Sequence, residues 1–179
     1  MRHLSVVPPP KAIVLTVGGF YFGAKPVQVS TLLGSCIAIT AWHPKRRIGG
    51  LCHYLMPGGD HREAREAGMH APGAIDLFSQ EVGRAGTLPR EYVVRIFGGG
   101  HMFDSFAADS VPRALGKSRI QELNIAAARR LLPMNGFKIV SDDVGGWGSR
   151  NVQFNLATGE VRVIRGPVFS KIQMRGLVV

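Results

Sequence analysis

The chain has 179 residues, of which 45% are hydrophobic and 19% are charged, so it is too apolar for a disordered protein and too mixed for a membrane-embedded one. Glycine is abundant, at 23 residues, but follows no three-residue repeat, which excludes a collagen-like protein. The formal net charge is +10, and residues 1–59 carry six bases and no acid. Such a positive segment indicates an anionic partner or serves solubility alone.

The N-terminal half of the chain is predicted to consist mostly of β-strands. Residues 1–11 form an expected flexible arm, and residues 12–179 form a single domain. The last two strands of this half flank the basic turn Lys45-Arg46-Arg47 and predict a β-hairpin. The predicted strands comprise residues 12–17, 20–22, 37–42 and 49–56.

The C-terminal half combines two predicted helices with four further strands. Residues 58–72 are predicted to be a loop, which leads into a helix over residues 74–85. The clearest helix covers residues 118–132, where Ser118 and Gln121 form a capping box and Asn135-Gly136 follows as a stop. Its expected apolar stripe is Ile120, Leu123, Ala127 and Leu131, and the predicted strands comprise residues 92–97, 138–141, 150–155 and 160–165. This order of elements predicts a mixed α+β fold.

The two cysteines, Cys36 and Cys52, indicate neither a disulfide scaffold nor, without a CxxC pair, a zinc site. No histidine spacing is typical of another metal site, and no cofactor is expected. An apolar run over residues 12–24 resembles a signal peptide, but a proline triplet precedes it and two glycines interrupt it. The run is also too short to span a membrane, so we expect a cytoplasmic chain without membrane insertion.

Cys36 follows two small residues, Gly34 and Ser35, at the edge of a predicted strand. Small side chains allow a sharp backbone turn and the close approach of a substrate, and they leave backbone N–H groups free to bind an oxyanion. A thiol needs a positive environment to become a good nucleophile, and the acid-free segment around Cys36 is expected to supply it. The alternative is a buried structural cysteine.

His53 is the candidate base. Cys52 and His53 are adjacent on a predicted strand, so their side chains face opposite ways and cannot easily bind one metal ion together. Because this strand is expected to pair with the strand that follows Cys36, His53 can approach the Cys36 thiol. That pair is the minimum for nucleophilic amide chemistry. The alternative is a histidine that belongs to the core.

The group that orients the imidazole is not a nearby carboxylate, because the first acid of the chain is Asp60. The candidates are the hydroxyls of Ser30 and Thr31 or a backbone carbonyl, and the two residues equally fit an ordinary turn. Two glycine clusters, at residues 98–100 and 145–146, either line a site or form turns. The first cluster follows a strand, as in an anion-binding nest, but lacks the Lys-Ser/Thr of a P-loop.

Several motifs, in order between about residue 12 and about residue 165, resemble those of a known family. They are Thr31-Leu32-Leu33-Gly34-Ser35-Cys36, Gly49-Gly50-Leu51-Cys52-His53-Tyr54-Leu55-Met56-Pro57, Phe97-Gly98-Gly99 with Met102-Phe103, Asn124 with the helix after it, and Gly145-Gly146 leading to Arg150. With them the chain resembles the CheD family, the chemoreceptor glutamine deamidases of bacterial and archaeal chemotaxis.

The resemblance implies a Cys–His–hydroxyl triad in which Cys36 is the nucleophile and His53 the base. The third residue of the family, usually Thr, lies six places before the cysteine, where this chain has Ser30. Thr31 is one place off, so the third role lies between the two, and the kept spacing favours Ser30. Backbone N–H groups around Gly34 and Ser35 are the expected oxyanion donors.

The resemblance also implies a fold and partners. The fold of the family resembles that of the cytotoxic necrotizing factor deamidases, a mixed β-sandwich with flanking helices. The implied substrate is the cytoplasmic domain of chemoreceptors, and some members of the family also bind the CheC phosphatase. No nucleic acid is expected as a partner.

Two functions of other classes compete with a deamidase. One is a non-catalytic chemotaxis adaptor that binds receptors or CheC, against which the intact Cys36 and His53 argue. The other is a nucleic-acid-binding module, which the net charge would suit. No recognised nucleic-acid-binding motif and no aromatic stacking array on a basic strand supports that alternative.

Overall fold

The fold, seen in a computed structural model, is described for residues 11–24, 26–59, 66–102 and 120–166. These residues form nine strands, two α-helices and two short 3-10 helices, at Ala67–Met69 and Pro89–Glu91. The strands are β1 Lys11–Leu15, β2 Phe20–Ala24, β3 Val27–Leu33, β4 Ile37–His43, β5 Ile48–Tyr54, β6 Val93–Gly98, β7 Ile139–Val144, β8 Arg150–Asn155 and β9 Val161–Arg165. The helices are α1 Ala71–Arg84 and α2 Ile120–Met134.

The strands form two mixed sheets. The four-stranded sheet has the order β1-β3-β8-β9, with β1 parallel to β3 and the other neighbours antiparallel. The five-stranded sheet has the order β2-β5-β4-β6-β7, with only β6 and β7 parallel to each other. Strands β1 and β2 follow one another in the chain but lie in different sheets, so the turn at residues 18–19 crosses from one sheet to the other.

The five-stranded sheet lies between the helices and the four-stranded sheet. Alternation along β4 sends Ile37 and Ile39 into a core with both helices, and sends Ala38 into a second core against the four-stranded sheet. The hairpin of β4 and β5 is therefore buried on both faces, which explains its nearly continuous apolar sequence. This arrangement confirms the predicted α+β fold, a mixed sandwich with helices on one side.

Most of the predicted elements are present. The expected hairpin is confirmed by the register of β4 and β5, in which Ala38 lies opposite His53. Strand β3 was not predicted, although its sequence alternates: Val27, Val29 and Thr31 are buried, and the residues between them are not. Its hydroxyl residues are therefore parts of a central strand and not of a turn.

Two helix predictions need correction. Helix α1 begins at Ala71, inside the segment predicted to be a loop, because Pro72 is well tolerated in the first turn of a helix. In α2, Leu123 is 52% exposed, and the buried face is Asn124, Ala127, Ala128 and Leu132. The capping residue Ser118 and the arm at residues 1–10 lie outside the described residues. The predicted stop after α2 is confirmed by Gly136, which has φ +80°.

Candidate active site

Cys36 lies immediately before β4, at the end of the connection from β3. Ala38 lies directly opposite His53, so Cys36, two residues earlier, is the diagonal neighbour of His53 on the same face. Diagonal neighbours have Cα atoms about 7–8 Å apart, within reach of long side chains. Cys36 joins Ala38 and Leu51 in the core between the two sheets and retains 8% exposure.

The imidazole of His53 is held by the other sheet. Its Nδ1 atom lies 2.7 Å from Oγ1 of Thr31, and this hydroxyl donates to the carbonyl oxygen of Leu15 at 2.8 Å. A threonine hydroxyl has one proton, and a carbonyl can only accept. The hydroxyl must therefore accept from His53, which places the ring proton on Nδ1 and leaves the lone pair on Nε2.

Burial makes this imidazole a neutral base. It lowers the pKa of His53 to about 4, because the charged ring would lose its hydration between the sheets. The Nε2 atom is buried and has no hydrogen-bond partner among the described residues. It is therefore the nitrogen that is available to take a proton from the neighbouring thiol, and catalytic hydrogen bonds of this kind often form only when substrate binds.

Burial also raises the pKa of the Cys36 thiol. Two hydrogen bonds oppose this effect and favour the thiolate, one from the Ser35 side chain and one from the backbone of Cys36 itself. The lowered histidine pKa and the raised cysteine pKa both favour a neutral thiol beside a neutral imidazole.

The described bases of the acid-free segment lie far from Cys36. Lys45, Arg46 and Arg47 follow the far end of β4, roughly 23 Å of extended strand away from Cys36. Lys11 pairs with Val27, at the end of β3 that is remote from the cysteine. These bases therefore do not supply the expected positive field at the Cys36 thiol.

The carbonyl groups of the loop at residues 34–36 are all hydrogen-bonded. Gly100 donates its N–H to Gly34 and Gly99 donates its N–H to Cys36, each at 2.8 Å. The N–H groups of Gly99 and Gly100 therefore cannot form an anion-binding nest, because they already donate to the loop that carries Cys36. Gly98 has φ +108°, and a Cβ there would lie 2.2 Å from the carbonyl oxygen of Cys36, so only glycine fits.

The expected oxyanion donors are the N–H groups of Gly34, Ser35 and Cys36. In the described part of the chain, none of the three takes part in a turn or loop hydrogen bond as a donor. The carbonyl groups of the loop are thus occupied, and the N–H groups of Gly34 and Ser35 are candidates for binding a ligand. That arrangement suits the binding of a developing negative charge.

Ser30 and Thr31 lie on opposite faces of β3, as alternation requires. Thr31 is 1% exposed and contacts His53, whereas Ser30 pairs with Val14 and Gln153 and shares their outward face. The geometry thus favours Thr31 as the partner of the imidazole and does not support the expected preference for Ser30. The face on which a strand residue lies depends on the register of the sheet and not on its spacing from the cysteine.

Cys52 is separated from this site by the sheet itself. It is fully buried in the core against the helices, on the face opposite to His53. Burial raises its pKa to about 12. The prediction that the adjacent residues Cys52 and His53 face opposite ways is confirmed, and Cys52 has the environment of a structural cysteine.

The sequence analysis named Asn124 only as part of a motif, but its side chain reaches the site. The Nδ2 atom donates to the carbonyl oxygen of Leu55 at 2.7 Å and to that of Ser35 at 3.3 Å. A signal was present in the sequence, since a polar residue stood in line with the small apolar residues Ala127 and Ala128 on one helix face.

The described residues contain neither a candidate metal site nor a candidate membrane span. In those ranges, no cluster of three or more His, Cys, Asp or Glu side chains is arranged to hold a metal ion. Likewise, none of the described helices is both long and apolar enough to cross a membrane.

Comparisons with known proteins point to one family. The sequence model of the family described as "CheD chemotactic sensory transduction" matches residues 55–165. A relative from Pseudomonas syringae pv. syringae (strain B728a), named "Probable chemoreceptor glutamine deamidase CheD", is 40% identical over 156 residues, covering 87% of this chain and 85% of its own. "Probable chemoreceptor glutamine deamidase CheD 3" from Dechloromonas aromatica (strain RCB) is 37% identical over 150 residues, covering 83% and 84%.

Among solved structures, the Bacillus licheniformis hypothetical protein YfiH matches with a TM-score of 0.42 and 14% identity, covering 71% of this chain and 49% of that one. The family assignment depends on the sequence comparisons, which extend over most of the chain at up to 40% identity. They name the family that the motifs around Cys36 and His53 resemble. The chain therefore belongs to the CheD family.

Proposed function

We propose that this chain deamidates glutamine side chains of chemoreceptors, with Cys36 as nucleophile and His53 as base. The names of the relatives supply the substrate class. The observation that carries the chemistry is the hydrogen-bonded series from His53 through Thr31 to the carbonyl of Leu15, which leaves Nε2 as a free base beside a cysteine. This geometry suits acyl transfer from an amide.

In the first half of the reaction, Sγ of Cys36 attacks the carboxamide carbon of the glutamine. His53 Nε2 accepts the thiol proton as the C–S bond forms, because neither group is charged beforehand. The carbonyl oxygen becomes an oxyanion, and the imidazolium then gives its proton to the amide nitrogen. The C–N bond breaks, ammonia leaves, and a thioester to Cys36 remains.

In the second half, water replaces ammonia. His53 Nε2 accepts a proton from the water, and the water oxygen attacks the thioester carbon. The C–S bond breaks, the departing sulfur recovers the proton from the imidazolium, and glutamate is released. The enzyme thus returns to the neutral thiol and imidazole with which it began.

The oxyanion of both steps needs hydrogen-bond donors in a site of low dielectric constant. The N–H groups of the loop at residues 34–36 are the donors that we propose, supported by the three hydrogen-bonded carbonyl groups of that loop. A donor of this kind contributes about 3 kcal/mol to the stabilisation of the transition state. Thr31 acts as a positioning residue, because it contacts the imidazole and not the substrate.

The test is deamidation of a chemoreceptor cytoplasmic fragment by the protein and by its Cys36→Ala variant, followed by mass spectrometry for the amide-to-acid change. We expect Cys36→Ala to lower the rate by a factor of about 10³ or more. Cys52→Ala is the matched control, since it removes the cysteine on the other face of the sheet, and it should retain most activity. Deamidation by folded Cys36→Ala would contradict the proposal, as would binding of the receptor without turnover by the unaltered protein.

Two narrower expectations accompany this function. The substrate segments are the cytoplasmic parts of receptors, so we propose that the chain acts in the cytoplasm. Binding of the CheC phosphatase stays a prediction, which co-purification of the two proteins would test. Receptor binding without turnover would favour the adaptor function instead.

A further inference from the structure

Asn124 is a fully buried polar residue in the second turn of α2, with 0% exposure. It faces the five-stranded sheet together with Ala127 and Ala128. A buried amide among such small apolar residues is costly unless its polar atoms have partners. The partners that it has therefore indicate why the position is polar.

Both known side-chain contacts of Asn124 are made by its Nδ2 atom. One N–H donates to Ser35, the residue before Cys36, and the other donates to Leu55, two residues after His53. The Oδ1 atom is buried and has no partner among the described residues. The Nδ2 group thus connects the loop that carries Cys36 to the end of β5, the strand that carries His53.

The position of this amide is itself fixed by a third contact. The hydroxyl of Tyr54 donates to the main-chain carbonyl of Asn124 at 2.6 Å, inside the helix-side core. Tyr54 is the neighbour of His53 on β5. Helix α2 is therefore attached to β5 at the same residue whose side chain holds the cysteine loop.

We infer that Asn124 is a positioning residue that holds the loop at residues 34–36 against the end of β5 and so sets the distance between Cys36 Sγ and His53 Nε2. The inference rests on the proposed function, because it concerns the geometry of that reaction. Without the amide, the carbonyls of Ser35 and Leu55 lose their common donor, and the loop keeps its two hydrogen bonds from Gly99 and Gly100 but loses its connection to the end of β5. A displacement of about 1 Å at a reacting atom costs about 100-fold in rate.

The competing explanation is that Asn124 only satisfies two buried carbonyl groups. The two explanations differ in what a substitution does to folded protein. Loss of a structural amide lowers stability and leaves the turnover of each folded molecule unchanged. Loss of a positioning amide lowers kcat and leaves KM nearly unchanged, because binding of the receptor does not depend on the distance between Sγ and Nε2.

The experiment compares two variants with a matched control. Asn124→Asp keeps the size of the side chain and replaces the two N–H donors with a carboxyl that has at most one O–H donor, and Asn124→Ala removes both donors without introducing an ionisable group. Asn135→Asp is the control, since Asn135 also donates its side-chain amide to a backbone carbonyl, that of Leu131, just beyond the same helix. Asn135 lies eleven residues from Asn124, or roughly 16 Å along the helix.

We expect the folded Asn124 variants to lose about 100-fold in kcat, with KM within about twofold of the unaltered protein. Asn135→Asp should match the unaltered protein in both constants. Folding is checked by circular dichroism and thermal melting. An unchanged kcat in folded Asn124→Ala would overturn the inference.

A second readout does not need receptor turnover. The rate at which Cys36 is alkylated is measured with and without His53→Gln, in the unaltered background and in Asn124→Ala. We expect His53→Gln to slow alkylation in the first background and to add nothing in the second, because the base and the thiol are then already apart. An equal effect in both backgrounds would overturn the inference. Absence of deamidation by the unaltered protein would refute the proposed function and leave this readout decisive.

Discussion

Two neighbouring residues of β5 lie on opposite faces of the five-stranded sheet and have different surroundings. On the helix side, Cys52 lies in an apolar core with a pKa raised to about 12. On the sandwich side, His53 meets a hydroxyl of the other sheet and lies diagonal to Cys36. The two residues are adjacent in the sequence, and their surroundings differ because their side chains point to opposite faces of the sheet.

This comparison shows that burial alone does not distinguish the proposed nucleophile, Cys36, from Cys52. Cys36 and Cys52 are both buried, and burial raises the pKa of both thiols. What differs is the polar partners. On the sandwich face, the Thr31 hydroxyl contacts the imidazole next to Cys36, whereas Cys52 lies among packed side chains on the helix face.

The largest expected difference between the faces is in thiol reactivity. At neutral pH, Cys36 in the folded protein should react with iodoacetamide about 10³ times faster than Cys52 or more, because Cys52 reacts only when the protein opens. The rate for Cys36 should rise with pH, since only the thiolate reacts and burial raises its pKa. Peptide mass spectrometry over time measures both rates. Equal labelling of the two cysteines in native protein would break the comparison.

The buried neutral histidine should make stability depend on pH. The pKa of His53 is about 4 in the folded protein and 6.5 when unperturbed, so the unfolded chain binds the proton more readily. The contribution is fully present above pH 6.5 and is lost as the pH falls to about 4, and it amounts to about 3 kcal/mol. Urea unfolding between these pH values measures the slope.

The matched variant for this prediction is His53→Gln, which should show a smaller loss of unfolding free energy over the same pH range. Comparing slopes removes the constant effect of the substitution on packing. If the two slopes are the same, His53 is not held neutral between the sheets. The proposed role of His53 as a neutral general base would then lose the support of its burial.

Substitution of Thr31 should have the smallest of these effects and decides between the two hydroxyl residues. Thr31→Val removes the hydroxyl at constant shape, and we expect kcat/KM to fall about 100-fold because the ring is no longer held with its proton on Nδ1. Thr31→Ser should restore most activity. Ser30→Ala, on the outer face of β3, should change little. A larger loss for Ser30→Ala would show that spacing from the cysteine, and not the sheet register, selects the third residue.

Much of the fold was accessible from local patterns. The hairpin of β4 and β5 follows from two apolar runs around a turn, and α1 and α2 follow from periodicity. Strand β3 is absent from the predicted elements, because its adjacent hydroxyl residues also fit a turn, although its burial alternates as in a strand. The stripe of α2 was misjudged because an asparagine occupied a buried position, where apolar periodicity alone gives no reason to expect one.

The sequence by itself determined the candidate nucleophile and base, since Cys36 and His53 stand in motifs that place them near one another on paired strands. Only the tertiary structure decided the partner of the imidazole, its tautomer and the contact from Asn124. The physical reason is that these contacts join segments 16 to 89 residues apart. Which side chains meet there depends on sheet register and helix docking, which no local pattern of residues encodes.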